Sequence, residues 1–225
     1  MVRSSVLQDC RLLAREIRLV VLVSGSGTNL QSIIDHIESG KLDARIVLVF
    51  SNRKDAPALE RARNHGLKIE ALEPISNDRE IYDRQVIKVI DAHRPELLVF
   101  AGYMRIVTPA FVNHYPDRII NIHPALLPAF PGTHAQAQAL HYGVRVSGCT
   151  THFVRAEVDA GPVIMQESVR VEPDDTEETL TARILEKEHQ ILPASIQLFA
   201  EGRLKIEGRR VRILPAQQQS ASALR

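Results

Sequence analysis

The hydrophobic positions along this chain change their period repeatedly. Arg18 to Val23 reads RLVVLV, an unbroken, largely β-branched run of the kind that fills a strand covered on both faces. Ser24 to Gly27 break the run, and Leu30, Ile33, Ile34 and Ile37 then recur at helical spacing. The unit repeats. RIVLVF from Arg45 to Phe50 leads through SNRKDAP to a predicted helix with Pro57 in its first turn and Gly66 to close it. LKIEAL is a third strand, Asp78 to Ala92 a helix, and ELLVFA from Glu96 to Ala101 a fourth strand. Thr108 is placed as the N-cap and Pro109 as the first residue of a short helix, and RIIN makes a fifth strand.

After Val144 the stretches lengthen and become β-rich. RVSGCTTHFVRAEV and GPVIMQESVRV, separated by Asp159, Ala160 and Gly161, read as an antiparallel hairpin, with the glycine expected at positive φ. A long helix from about Thr176 to Gly202 follows, with Pro193 as an expected kink, then the small hairpin RLKIEGRRVRI and the polar tail QQQSASALR. The alternation predicts an α/β fold: a Rossmann-like, mostly parallel twisted sheet with helices on both faces and an antiparallel C-terminal hairpin. One domain is expected over 18–214, with an N-terminal extension over 1–17 and a tail over 215–225. Ligands of such sheets bind beyond the carboxyl ends of the strands, which is where the unusual loops fall.

Composition narrows the function. The 28 basic and 27 acidic side chains nearly cancel, so no chain-wide field attracts nucleic acid or an anionic membrane, and an anion site must be local. Cys10 and Cys149 are the only cysteines, too few for a disulfide framework or a cysteine-based zinc site. No run is long and apolar enough for a membrane span, and the charged opening MVRSSVLQDCRLLAREIR does not suit a signal peptide. A soluble, cytoplasmic protein without nucleic-acid or membrane partners is expected.

Three loops carry candidate chemistry. SGSGTNL offers two glycines, three hydroxyls and the free N–H groups of a helix start, which together suit a phosphate. The dinucleotide fingerprint is incomplete there, because Leu30 stands where the third glycine belongs, and a ligand-free turn fits the same residues. NIHPALLPAFPG puts Asn121 and His123 on one strand face, two residues apart, where an amide N–H and an imidazolium N–H can converge on the oxygen that becomes negative when a carbonyl is attacked. A capped strand end followed by a loop stiffened by three prolines is the plainer reading. Asp159 is by itself a turn residue; beside His123 it would favour the charged ring and move a proton. His152 reads as a satisfied core residue, the other histidines lack metal-site spacing, and no metal is predicted.

Taken together, SGSGTNL, FAGYMRIVTPAFV, NIHPALLPAFPG and HFVRAEVDAGPVI, in this order, resemble the phosphoribosylglycinamide formyltransferase family of folate-dependent enzymes, over Arg18 to about Leu214. The resemblance implies transfer of a formyl group from 10-formyltetrahydrofolate to the amine of glycinamide ribonucleotide in purine synthesis, without a metal, by a monomer or homodimer. It assigns Asn121, His123 and Asp159 to catalysis. Gly27, Thr28, Asn29 and Glu188 fall to the ribonucleotide. Arg79, Met104, Arg105, Ile106 and Val107 fall to the folate, as do Asn121 and Arg155, Ala156, Glu157, Val158 and Asp159. Ala125 departs from the family, standing where a Ser is frequent. Two alternatives remain: a formyltetrahydrofolate deformylase, whose family carries a further domain that about 17 residues cannot form, and a non-enzymatic nucleotide-binding module using the glycine loop alone.

Overall fold

The computed structural model describes residues 16–74 and 78–216. Most of the expected N-terminal extension and tail, Cys10 included, lies outside them. In chain order the elements are β1 (Ile17–Val23), α1 (Thr28–Glu38), β2 (Ala44–Ser51), α2 (Pro57–Asn64), β3 (Ile69–Ala71), α3 (Arg79–Asp91), β4 (Leu97–Phe100), α4 (Pro109–His114), β5 (Ile119–His123), α5 (Ala135–Tyr142), β6 (Val146–Phe153), β7 (Val163–Arg170), α6 (Glu177–Ala200), β8 (Leu204–Glu207) and β9 (Arg210–Ile213).

All nine strands among the described residues form one sheet in the order β3-β2-β1-β4-β5-β6-β7-β9-β8. The first five are parallel, β6 runs antiparallel to β5, and β7 antiparallel to β6. Alternation along β1 divides the core between two faces. Leu19, Val21 and Val23 pack with Leu30, Ile33, Leu59, Leu180 and Ile184 of α1, α2 and α6, while Val20 and Leu22 pack with Tyr82, Val86, Ile90 and Phe111 of α3 and α4. Burial on both faces explains why RLVVLV has no polar alternation. The chain order reverses between β1 and β4, so the crevice for a ligand opens at their carboxyl ends.

Several expectations are corrected. LKIEAL is a strand over three residues only, because the edge strand β3 meets β2 at just three register positions. The expected hairpin strands stop early: β6 ends at Phe153 and β7 starts at Val163, so residues 154–162 form a loop instead of a tight turn. In it Asp159 has φ +52, whereas Gly161 is not among the positive-φ residues. Gly161 is required for another reason, since a Cβ there would stand 1.7 Å from the Phe153 carbonyl oxygen. The helix α5 had no counterpart in the sequence reading; its residues AQAQALHY bury only Ala135 and Ala139 and show little amphipathic contrast.

Pro193 does not end α6, which continues to Ala200. A proline removes the hydrogen bond to the carbonyl four residues earlier, that of His189, and the Ser32 hydroxyl donates to this oxygen at 2.8 Å in its place. The substitute bond joins α6 to α1, the two helices that carry the expected ribonucleotide residues.

Candidate active site

Asn121 and His123 occupy the carboxyl end of β5, two residues apart and therefore on one face. Cross-strand pairing places His152 of β6 directly opposite Asn121. The 154–162 loop returns Asp159 to the same point, with its Oδ2 3.3 Å from His123 Nδ1 and its Oδ1 3.5 Å from His152 Nε2. The Gly132 N–H donates to Asp159 Oδ2 at 2.8 Å, which ties this loop to the one after β5. That second loop is fastened from beneath: the Leu127 N–H donates to Thr150 Oγ1 at 3.0 Å, the Thr150 hydroxyl to the Ala125 carbonyl at 2.7 Å, and Gln166 Nε2 to the Leu127 carbonyl at 2.8 Å. The prolines therefore share the task of shaping it. Ala125, the position that departs from the family, is fully buried against this support.

The protons of the cluster follow from its neighbours. His123 is 4% exposed. Its Nε2 lies 2.8 Å from the Phe130 carbonyl, to which it donates, so Nδ1 is the nitrogen turned toward Asp159. Burial pulls its pKa below the ordinary histidine value, and the Asp159 charge and the Phe130 carbonyl only partly oppose this. Asp159 thus favours the charged ring, while burial acts against it more strongly. For Asp159, burial favours the neutral acid, but His152, the Gly132 N–H and the two neighbouring rings prevail and hold its pKa below the usual carboxylate range. Backbone donation from Gly132 holds the Asp159 carboxylate whichever protonation state His123 takes. His123 Nδ1 and a carboxylate oxygen face each other at 3.3 Å, a gap suited to one proton.

His152, read from sequence as a core residue, is 2% exposed and also a neighbour of the catalytic candidates: its Nε2 lies 3.1 Å from Asn121 Nδ2. The register between β5 and β6, invisible in the linear spacing, creates this contact. The Asn121 amide also makes a long contact of 3.5 Å to Asp159. Its N–H groups thus face Asp159 and His152 here, where the sequence reading had one aimed outward toward a carbonyl.

The other expected residues come from the glycine loop, α1, α3, α6 and the loops after β4 and β6. Gly27 caps α1 at φ +77 without a side chain, and Thr28 and Asn29 begin the helix. A Cβ on Gly27 would stand 2.6 Å from the Ala58 Cβ, so α2 packs directly on the loop. Asn29 Nδ2 donates to Glu188 Oε2 at 2.7 Å, and burial pushes the Glu188 carboxyl up to about 7 against the opposing Asn29 bond. Ser24 joins the glycine loop to the folate-side segment. Its N–H donates to the Gly102 carbonyl at 3.0 Å, and its hydroxyl oxygen accepts from the Met104 N–H at 2.8 Å. Met104 and Ile106 project into solvent, Val107 is buried, and the Arg105 guanidinium lies 4.2 Å above the Tyr82 ring. Arg79 is the first residue of α3, the helix that carries Tyr82. Ala156, Glu157 and Val158 lie in the loop before Asp159, whereas the Arg155 side chain is drawn to Asp117 at 2.6 Å. Among the described residues no group of three His, Cys, Asp or Glu side chains is arranged to hold a metal ion.

A mixed sheet with an Asn-x-His strand end and a returning aspartate belongs to a definite class: the chain matches the formyl transferase family over residues 17–196 and is a member of it. It is 49% identical over 189 residues to the phosphoribosylglycinamide formyltransferase of Escherichia coli strain K12, covering 84% of this chain and 89% of that one. It is 41% identical over 192 residues to the trifunctional purine biosynthetic protein adenosine-3 of Gallus gallus, covering 85% of this chain and 19% of that protein. The crystal structure of glycinamide ribonucleotide transformylase 1 from Symbiobacterium toebii superposes with a TM-score of 0.87 at 51% identity, covering 89% of this chain and 95% of the other.

Proposed function

We propose that this chain transfers the formyl group of 10-formyltetrahydrofolate to the amine of glycinamide ribonucleotide, a step of purine synthesis. The observation that carries the reading is the Asp159–His123 contact at the end of β5, on the same side of the sheet as the glycine loop after β1 and the 102–107 segment after β4, which Ser24 joins. A two-substrate transfer needs segments that hold both reactants beside one group that accepts a proton.

The substrate amine attacks the formyl carbon, and the carbonyl electron pair moves to oxygen. An Asn121 N–H, exchanged from its long contact with Asp159, and the His123 Nε2–H, exchanged from the Phe130 carbonyl, stabilise that oxygen. The amine proton enters the gap between His123 Nδ1 and Asp159. Collapse of the intermediate breaks the bond to the folate nitrogen, which takes up the proton held between His123 and Asp159, leaving the formylated amide and tetrahydrofolate. The backbone and side chains of 155–159 would support the pterin, and Arg79 and 104–107 the remainder of the folate. No covalent enzyme intermediate is required, and neither a metal nor a nucleic-acid partner enters the scheme.

The test is turnover of 10-formyltetrahydrofolate by the purified chain with and without glycinamide ribonucleotide, following formyl-folate loss and free formate. Turnover that requires the ribonucleotide and yields no formate is the expected result. Formate release without it would make the protein a deformylase, and ribonucleotide binding without any folate turnover would leave a binding module.

A further inference from the structure

We propose that Ser24 is a positioning residue: its hydroxyl, oriented by Asn52, sets the separation of the glycine loop from the 102–107 segment and so aligns the two reactants. The proposal rests on the transfer reading above, in which those segments hold the ribonucleotide and the folate.

β1 ends its pairing with β2 at Val23 opposite Ser51, and with β4 at Leu22 opposite Phe100. Ser24 carries both registers onward. Its N–H donates to the Gly102 carbonyl at 3.0 Å, and its hydroxyl donates to Asn52 Oδ1 at 2.5 Å. Gly102, at φ +80, turns the chain out of the ladder, and the Met104 N–H then donates to the Ser24 hydroxyl oxygen at 2.8 Å in place of a strand carbonyl. One side chain thus joins three chain segments where backbone pairing stops, at the point where the strand order reverses.

A serine hydroxyl has a single proton. Because Asn52 accepts it, a lone pair is left facing the Met104 N–H, and the two bonds strengthen one another away from water. Ser24 is 5% exposed, so no solvent molecule easily takes over either bond. Asn52 acts through Ser24, since without that acceptor the hydroxyl is free to turn. A strand end by itself needs no such relay, because the Ser24 N–H is already satisfied by Gly102.

Each joined segment has its own anchor beyond Ser24. The Gly25 carbonyl accepts the Ala58 N–H at 3.0 Å and the Ser26 carbonyl the Arg61 Nε–H at 2.8 Å, which fasten the glycine loop to α2. At the other end, buried Asp83 accepts the Thr108 N–H at 2.7 Å and fastens the folate-side segment to α3. Loss of the junction therefore shifts one segment against the other and leaves each binding surface intact. A displacement of about 1 Å between reactants can cost about 100-fold in rate.

The experiment compares wild type with Ser24→Ala, Asn52→Ala and the double variant. It measures kcat, and by calorimetry the dissociation constants of 10-formyltetrahydrofolate and of glycinamide ribonucleotide, each added alone. In Ser24→Ala, kcat should fall about 10- to 100-fold, while both dissociation constants stay within about threefold of wild type. Asn52→Ala should lose less, and the double variant no more than Ser24→Ala, the non-additivity of a residue that acts through another. Asn52 is only half-buried, so its variant serves as the test should Ser24→Ala not fold. An unchanged kcat in either folded variant would overturn the proposal. So would a loss carried wholly by one dissociation constant, which would place Ser24 in that substrate's site, or additive losses in the double variant. A wild-type chain with no ribonucleotide-dependent turnover would instead sink the functional reading beneath it.

Discussion

Asp159 gathers its partners through an uncommon backbone conformation. At φ +52 it turns its carboxylate back into the sheet, where His123, His152, Asn121 and the Gly132 N–H surround it. Replacing Asp159 with Asn keeps the shape and removes the charge. Turnover should fall by about 10² to 10⁴ with the folate KM little changed, as steady-state kinetics will show; near-normal turnover would remove Asp159 from the mechanism. The same variant tests the electrostatics. Asp159 raises the His123 pKa against burial, so its neutralisation should lower the ring's titration midpoint further, which NMR of the imidazole protons will measure. At Gly27 the backbone and the neighbour agree: φ is +77 and Ala58 occupies the space of a side chain. Gly27→Val should raise the ribonucleotide KM and cost about 1–3 kcal/mol in urea unfolding, and an unchanged KM would move the phosphate site elsewhere.

At the scale of elements, α1 and α6 act as a pair. Ser32 replaces the hydrogen bond lost at Pro193, and Asn29 partners Glu188 inside the interface. Because the folded-state pKa of Glu188 is raised from 4.5 to about 7, the neutral carboxyl is the form the fold prefers. The stability it contributes is complete below pH 4.5 and lost as pH climbs to about 7. Glu188→Gln carries no charge at any pH, so its stability relative to wild type should rise by about 3 kcal/mol across that window and then level off. Urea denaturation at pH 4.5, 6 and 8 will check this, and a pH-independent difference would mean that Glu188 is already ionised in the fold.

For the whole molecule, one sheet separates two hydrophobic cores that share a backbone. Leu19 and Leu22 lie on opposite faces of β1, each fully buried in a different cluster. Each change to Ala should cost about 2–5 kcal/mol. Since the side chains share no cluster, the double variant should approach the sum in a single cooperative transition. Two separate urea transitions would show that the faces unfold independently.

Much of this organisation is local and therefore legible in the chain itself. The strands and helices of 17–123 announce themselves because a doubly covered strand must be apolar throughout, while glycine and proline mark its ends. The spacing of Asn121 and His123 on one face follows from strand geometry alone. Family motifs, more than periodicity, marked Asp159 and Glu188. What the chain could not reveal depends on register and burial. His152 joined the site only when β6 paired with β5 in one register, Arg61 reached the glycine loop only when α2 packed on Gly27, and the His123 pKa fell only once the sheet buried it. Sequence by itself determined most of the strands and helices before His123 and the shared face of Asn121 and His123, since those are properties of neighbours in the chain. Tertiary structure alone decided which charges meet and which stay protonated, because both depend on distance and solvent access between residues far apart in sequence.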